Sequence, residues 1–99
     1  MYTLEKIKEI LTPIFEMNRV DRAIVFGSYA KGTNVNKSDI DILIDSNGKL
    51  VGFDFYGVLS KIVDALNIDV DLIEKRQLIK GSIIETEIIN TGVVIYERT

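Results

Sequence analysis

Apolar residues recur along this chain in two rhythms. Leu4, Ile7, Ile10, Leu11, Ile14 and Phe15 return every three or four positions, which predicts a helix from about Thr3 to Met17. Pro13 lacks an amide hydrogen and predicts a kink there, or two short helices. Phe55, Val58, Leu59, Ile62, Val63 and Leu66 keep the same rhythm, predicting a helix from about Phe53 to Leu66 that Asn67 can end. Ser82 and Glu85 form a capping box ahead of Ile83, Ile84, Ile88 and Ile89, a helix that Gly92 should close. The Ile83–Ile89 run reads as core or subunit interface. The other rhythm belongs to strands. "RAIVF", Arg22 to Phe26, reads as a buried strand ending at Gly27, and "DIDILID", about Asp39 to Asp45, alternates polar with apolar. "DVDLI", Asp69 to Ile73, is a third strand, and "VVIYE" a short last one. Asn47-Gly48 supplies a turn signal after the second strand. The order α-β-loop-β-α-β-α-β predicts an α/β or α+β sandwich, a small mixed sheet flanked by helices.

Composition narrows the chemistry. At 99 residues, without repeat or Pro/Gly-rich linker, the chain reads as a single domain over 1–99. A chain of this size buries roughly 60–70% of its unfolded surface, enough for a core without staples. No apolar run approaches the ~20 residues needed to span a bilayer, and Met1 leads into a charged segment without a signal-peptide pattern. The expectation is a cytoplasmic protein with no membrane association. There is no cysteine and no histidine, which excludes thiolate nucleophiles, Cys-based zinc sites and histidine-dependent triads. Catalysis must rest on carboxylates, hydroxyls, lysine, arginine and a hard cation. A net charge of −3 argues against direct nucleic-acid binding through phosphates, though not against a nucleotide bound through metal.

The chemistry concentrates in "GSYAKGTNVNKSDIDILID", Gly27 to Asp45. Aspartate is a poor strand former, so Asp39 and Asp41 among isoleucines run against local preference. A P-loop fails because Thr33 stands where the phosphate-binding lysine belongs and a strand follows. An EF-hand loop starting at Asp39 fails because Leu43 and Ile44 hold its fifth and sixth positions. A divalent-metal nucleotidyl-transfer site fits better. On a strand, Asp39 and Asp41 share a face with Cα atoms ~6.5–7 Å apart, a pair able to share or flank Mg²⁺. Gly27 lets the backbone approach a phosphate, Ser28 offers a hydroxyl and an amide, and a short helix or turn opening at Ser28 would aim further N–H groups at an anion. The plainer readings are a solvated strand face for the aspartates and a helix N-cap for Ser28. Lys31, Lys37 and Arg76 read first as surface cations.

Gly27-Ser28, ten residues, then Asp39-Ile40-Asp41 resembles the signature of the polymerase-β-like nucleotidyltransferases. The resemblance covers almost the whole chain, and is strongest to the minimal nucleotidyltransferases, short single domains often paired with HEPN proteins as antitoxins. It implies a third carboxylate on a later strand, which Asp71 supplies, with Asp69 as the second choice. It implies that Asp39, Asp41 and Asp71 hold two Mg²⁺ ions and that Gly27, Ser28 and Lys31 hold the phosphates of ATP or another nucleoside triphosphate. Family members often carry arginines at two alternate positions of the glycine loop. This chain has Tyr29 and Lys31 there, and only the lysine keeps a cation.

The implied activity is transfer of a nucleoside monophosphate, AMP from ATP in the first instance, to a hydroxyl on a partner protein such as a HEPN toxin. The chain shows no second domain to grip a template, a tRNA or a small acceptor, which is consistent with an acceptor that brings its own binding surface. Two alternatives remain at this level. One is a non-catalytic module that masks a HEPN partner. The other is an enzyme acting on a small molecule or RNA end, completed by a homo-oligomer.

Overall fold

The structure, a computed structural model, describes residues 2–32 and 39–98. Thr33 and Lys37, weighed above, lie outside the described residues. The first helix, α1 (Leu4–Met17), starts at Thr3, whose side chain accepts the Lys6 amide at 3.1 Å. It runs through Pro13 as one helix rather than two. Pro13 lies on its exposed face, where water can serve the carbonyl that proline leaves without a partner. Strand β1 (Arg22–Phe26) follows, then α2, a single turn over Ser28–Lys31, then β2 (Ile40–Asp45). Helix α3 (Phe53–Leu66) ends at Asn67 in the left-handed conformation, as its sequence position predicted. Strand β3 (Val70–Glu74), a 3₁₀ turn over Lys75–Gln77, helix α4 (Ile83–Thr91) and strand β4 (Val93–Glu97) complete the order. Among the described residues no helix is long and apolar enough to cross a membrane.

The four strands form one mixed sheet in the order β3-β2-β1-β4. β1 pairs antiparallel with both β2 and β4, whereas β2 and β3 run parallel with α3 as their crossover. Alternation then sorts the residues of β2. Ile40, Ile42 and Ile44 are fully buried and join Ile7, Leu11 and Phe15 of α1 with Val58, Ile62 and Leu66 of α3 in one core. Asp41, Leu43 and Asp45 point to the other face, which α1 and α3 leave open. The sheet thus carries α1 and α3 on one face and its chemistry on the other, where α4 packs against β1.

Three expectations need correction. The second and third strands begin one residue later than their patterns suggested, at Ile40 and Val70, so Asp39 and Asp69 precede the paired segments. Each aspartate is exposed, and the Ile40 amide donates to the Asp69 carbonyl at 3.2 Å, which closes the ladder there. Helix α4 contributes no buried residue, with Ile83 89% and Ile89 75% exposed. The core reading of that isoleucine run does not hold. Its cap is also half of the predicted box: Ser82 Oγ accepts the Glu85 amide at 3.1 Å, but Glu85 reaches back to the Gly81 amide at 2.8 Å.

Candidate active site

The sheet register brings together what the sequence separates. Asp41 stands opposite Phe26 on β1 and opposite Asp71 on β3, so these three side chains share the open face at adjoining positions. With Leu72, Ile73 and the α4 residues Ile83, Ile84 and Glu87, they line a cavity of about 430 Å³. Its floor is two carboxylates and most of its wall is apolar.

Gly27 closes the strand end beside Asp41 with φ of 75°, a conformation that favours glycine. A Cβ there would lie 2.5 Å from Asp41 Oδ2, so the missing side chain makes room for the carboxylate. The Gly27 amide is not directed at the cavity: it donates to Thr91 Oγ1 at 2.9 Å. Gly27 is also the N-cap of α2, which puts Ser28 in the first helical position rather than at the cap. Ser28 is half-buried at the start of that turn. Tyr29 turns the other way and is 6% exposed in the core, so it stands apart from the site. Lys31, at the end of the turn, pairs with Glu87 at 3.4 Å.

Asp41 is the electrostatic centre. Its pKa is pushed up to about 6, first by burial, then by the charge of Asp71 and a hydrogen bond to it, and further by Asp39 and Glu87. Like charges gathered without a matching cation destabilise one another, and the remedy a protein uses at such a place is a bound cation. The donor set fits Mg²⁺: oxygen ligands only, from a facing pair of aspartates, with the remaining positions left to water and phosphate oxygens. Asp39 lies near enough to act on Asp41, yet among the described residues no three carboxylates converge as a closed metal cage would need. An open two-carboxylate seat is the arrangement present.

Glu87 and Thr91 are the site residues that sequence reasoning missed. Both lie on α4, four residues apart and so on one helix face. The signal was faint but present: an isoleucine-rich helix whose polar residues also keep helical spacing has two faces with work to do.

A mixed sheet carrying facing aspartates on neighbouring strands, beside a glycine that opens a single helical turn, defines a nucleotidyl-transfer enzyme. The comparisons with known proteins agree, since the model of the polymerase β nucleotidyltransferase family matches residues 5–99, and the chain belongs to that family. Two relatives come from Methanocaldococcus jannaschii, both named as candidate protein adenylyltransferases. MJ1215 is 37% identical over 82 residues, covering 79% of this chain and 95% of that protein. MJ0126 is 38% identical over 82 residues, covering 79% and 84%. Among solved structures, a chain from a toxin–antitoxin complex with AMP-PNP superposes with a TM-score of 0.78 at 23% identity, over 93% of this chain and 74% of that one. A chain from the complex of tri-AMPylated Shewanella oneidensis HEPN toxin with its MNT antitoxin gives 0.73 at 20% identity, over 95% and 72%. A candidate minimal nucleotidyltransferase gives 0.77 at 21% identity, over 93% and 95%. At these identities the structural likeness is one of fold, and it bears out the fold expected from the signature.

Proposed function

We propose that this nucleotidyltransferase moves AMP from Mg²⁺–ATP to a hydroxyl on a partner protein in the cytoplasm, and that the partner is a HEPN-type toxin which the transfer silences. The observation that carries this reading is the register match of Asp41 with Asp71 on the floor of the cavity, with Gly27 making room for Asp41. The names of the archaeal relatives support protein as the acceptor. So does the cavity wall, because Ile83 and Ile84 are apolar, exposed and beside the carboxylates, where a protein surface would cover them.

Asp41 and Asp71, with Asp39 turning in from the strand entry, would hold the magnesium, two ions in the fully loaded site. When bound, the metal supplies charge neutralisation for the phosphates and lowers the pKa of the attacking hydroxyl. Ser28 donates its hydroxyl to a terminal phosphate oxygen, and Lys31 adds a positive charge at the far end of the same turn. Asp71 accepts a hydrogen bond from the acceptor hydroxyl and orients it toward the α-phosphorus. The acceptor oxygen forms the new P–O bond as the bond to pyrophosphate breaks, and the hydroxyl proton passes to the Asp71 carboxylate. The apolar wall excludes water, which would otherwise compete as acceptor.

The test is incubation with α-labelled ATP, Mg²⁺ and the protein encoded beside this one. Label on the partner that disappears with Asp39→Ala/Asp41→Ala is the expected result. Tight binding and neutralisation of the partner, untouched by the same double substitution, would replace the enzyme reading with that of a masking module. Label on a small molecule or RNA end instead would keep the chemistry and change the acceptor.

A further inference from the structure

Helix α4 grips both ends of α2 from a single face. Thr91 Oγ1 accepts the Gly27 amide at 2.9 Å while donating its own hydrogen to the Glu87 carbonyl at 2.7 Å. One turn earlier, Glu87 Oε1 lies 3.4 Å from Lys31 Nζ, the two side chains being 39% and 47% exposed. The grips differ in kind. A triphosphate gains nothing by breaking the neutral bond to Gly27. It does compete for the ammonium of Lys31, because a polyanion offers that group more charge than one carboxylate. Glu87 also lines the cavity with Asp41 and Asp71, so it stays next to whatever displaces it.

We infer that Glu87 sets nucleotide affinity: it holds Lys31 before the nucleotide arrives and surrenders it to the triphosphate on binding. This rests on the reading above, in which the triphosphate lies along α2. An interaction made only in the unliganded state opposes binding. Once Lys31 has moved, the freed Glu87 carboxylate faces phosphates of its own sign. Both effects point the same way, so Glu87 loosens nucleotide binding, for the larger part through its hold on Lys31 and for the rest by repulsion. The role is one of affinity, separate from the transfer step.

A double-mutant cycle read by calorimetric titration with AMP-PNP and Mg²⁺ tests this without any acceptor. Glu87→Gln keeps shape while removing charge, and should tighten binding by about two- to fivefold, the factor that a half-exposed ion pair supports. Lys31→Met should weaken binding. In the Lys31→Met background, Glu87→Gln should recover less than half of its effect, since no ammonium remains to be released. Melting curves of all four proteins establish that each is folded. Weaker binding in Glu87→Gln would overturn the inference and make Glu87 a ligand or a brace. The same tightening with and without Lys31 would overturn it as well, leaving only through-space repulsion. If the unsubstituted protein failed to bind AMP-PNP, the functional reading itself would fall. Normal binding that Glu87→Gln leaves unchanged would sink this inference alone.

Discussion

Strands β2 and β3 carry carboxylates at both of their ends, and the two ends treat them in opposite ways. At the C-terminal end, Glu74 is 4% exposed, yet its oxygens accept the Ser46 hydroxyl at 2.8 Å and the Ser46 amide at 3.4 Å. The Ser46 hydroxyl in turn accepts the Leu50 amide at 3.1 Å. Asp45 pairs with Lys75 at 3.6 Å, and Asp21 with Lys49 and Arg98. Arg98 also donates to the carbonyls of Phe15, Glu16 and Val20, which fastens the end of α1 to the last strand. At the N-terminal end, Asp41 faces Asp71 with Asp39 and Glu87 nearby, and Lys31 is committed to Glu87. One end spends its carboxylates on holding the fold. The other leaves them in mutual repulsion, the condition in which a carboxylate pair is ready for a cation and a polyphosphate.

Substitutions of matching kind should therefore have opposite consequences at the two ends. The largest effect belongs to Asp41→Asn. AMP transfer should fall by roughly three powers of ten, the equivalent of the several kcal/mol that metal-assisted charge stabilisation supplies. Gel-based counting of labelled partner measures it. Gly27→Ala comes next. It forces a Cβ to within 2.5 Å of Asp41 Oδ2 at a φ of 75°, so transfer should drop at least tenfold. The folded protein should meanwhile lose about 1–3 kcal/mol by urea denaturation, the cost of a side chain in that sparsely populated backbone region. A Gly27→Ala protein that kept full activity would break the account of why the glycine is there.

At the opposite end the losses should appear in stability. Glu74→Ala removes the acceptor from the buried Ser46 amide and hydroxyl, and should cost about 2–4 kcal/mol of unfolding free energy. Once corrected for the folded fraction, nucleotide affinity should be unchanged. Denaturation midpoints together with an AMP-PNP titration check both halves of that statement. A Glu74→Ala protein that folded normally but lost nucleotide binding would dissolve the division between the two ends.

How much of this was legible in the sequence follows from the same division. The helices of the covered face were readable because α1 and α3 bury one clean stripe each, so periodicity reported burial directly. Gly27, Asp39 and Asp41 were readable because they violate local preference within a short span. Asp71 was nameable only through the resemblance to a family. It lies thirty residues from Asp41, and the parallel register that sets the two side by side is a property of the sheet, not of either strand. Glu87 and Thr91 left only a faint signal, polar residues at helical spacing in an isoleucine-rich segment. Helix α4 packs against β1 and reaches α2 only through Thr91 and Glu87, and none of its isoleucines is buried, so its apolar rhythm pointed to a core that it does not join. The direction of Tyr29 was not legible: on a one-turn helix, alternate loop positions do not face the same way, and Tyr29 turns into the core.

The smallest expected effect is also the most direct measure of the contrast. The folded state raises the Asp41 pKa from 3.8 to about 6, so the folded protein binds that proton more firmly than the unfolded chain does. Below pH 3.8 the group is protonated in both states and costs nothing. Between pH 3.8 and about 6 the penalty grows, and above that it is constant. Asp21 has the opposite sign. Hydrogen bonding from Asn47 lowers its pKa, with the charges of Lys49 and Arg98 adding to the effect, so its contribution is present above 3.8 and is lost as pH falls through its lowered value. Subtracting the melting curve of the unsubstituted protein from that of Asp41→Asn cancels Asp21 and isolates Asp41. The metal-free difference should rise from near zero at pH 4 to a plateau above pH 6. Allowing for the carboxyl's partial exposure, the plateau should correspond to about 1 kcal/mol, or roughly 5 °C in Tm for a domain of this size. Adding Mg²⁺ at pH 7 should raise the unsubstituted protein toward the Asp41→Asn value and leave Asp41→Asn where it was. A difference curve that stayed flat across pH 4 to 6 would mean that the end holding Asp41 and Asp71 is as well compensated as the other.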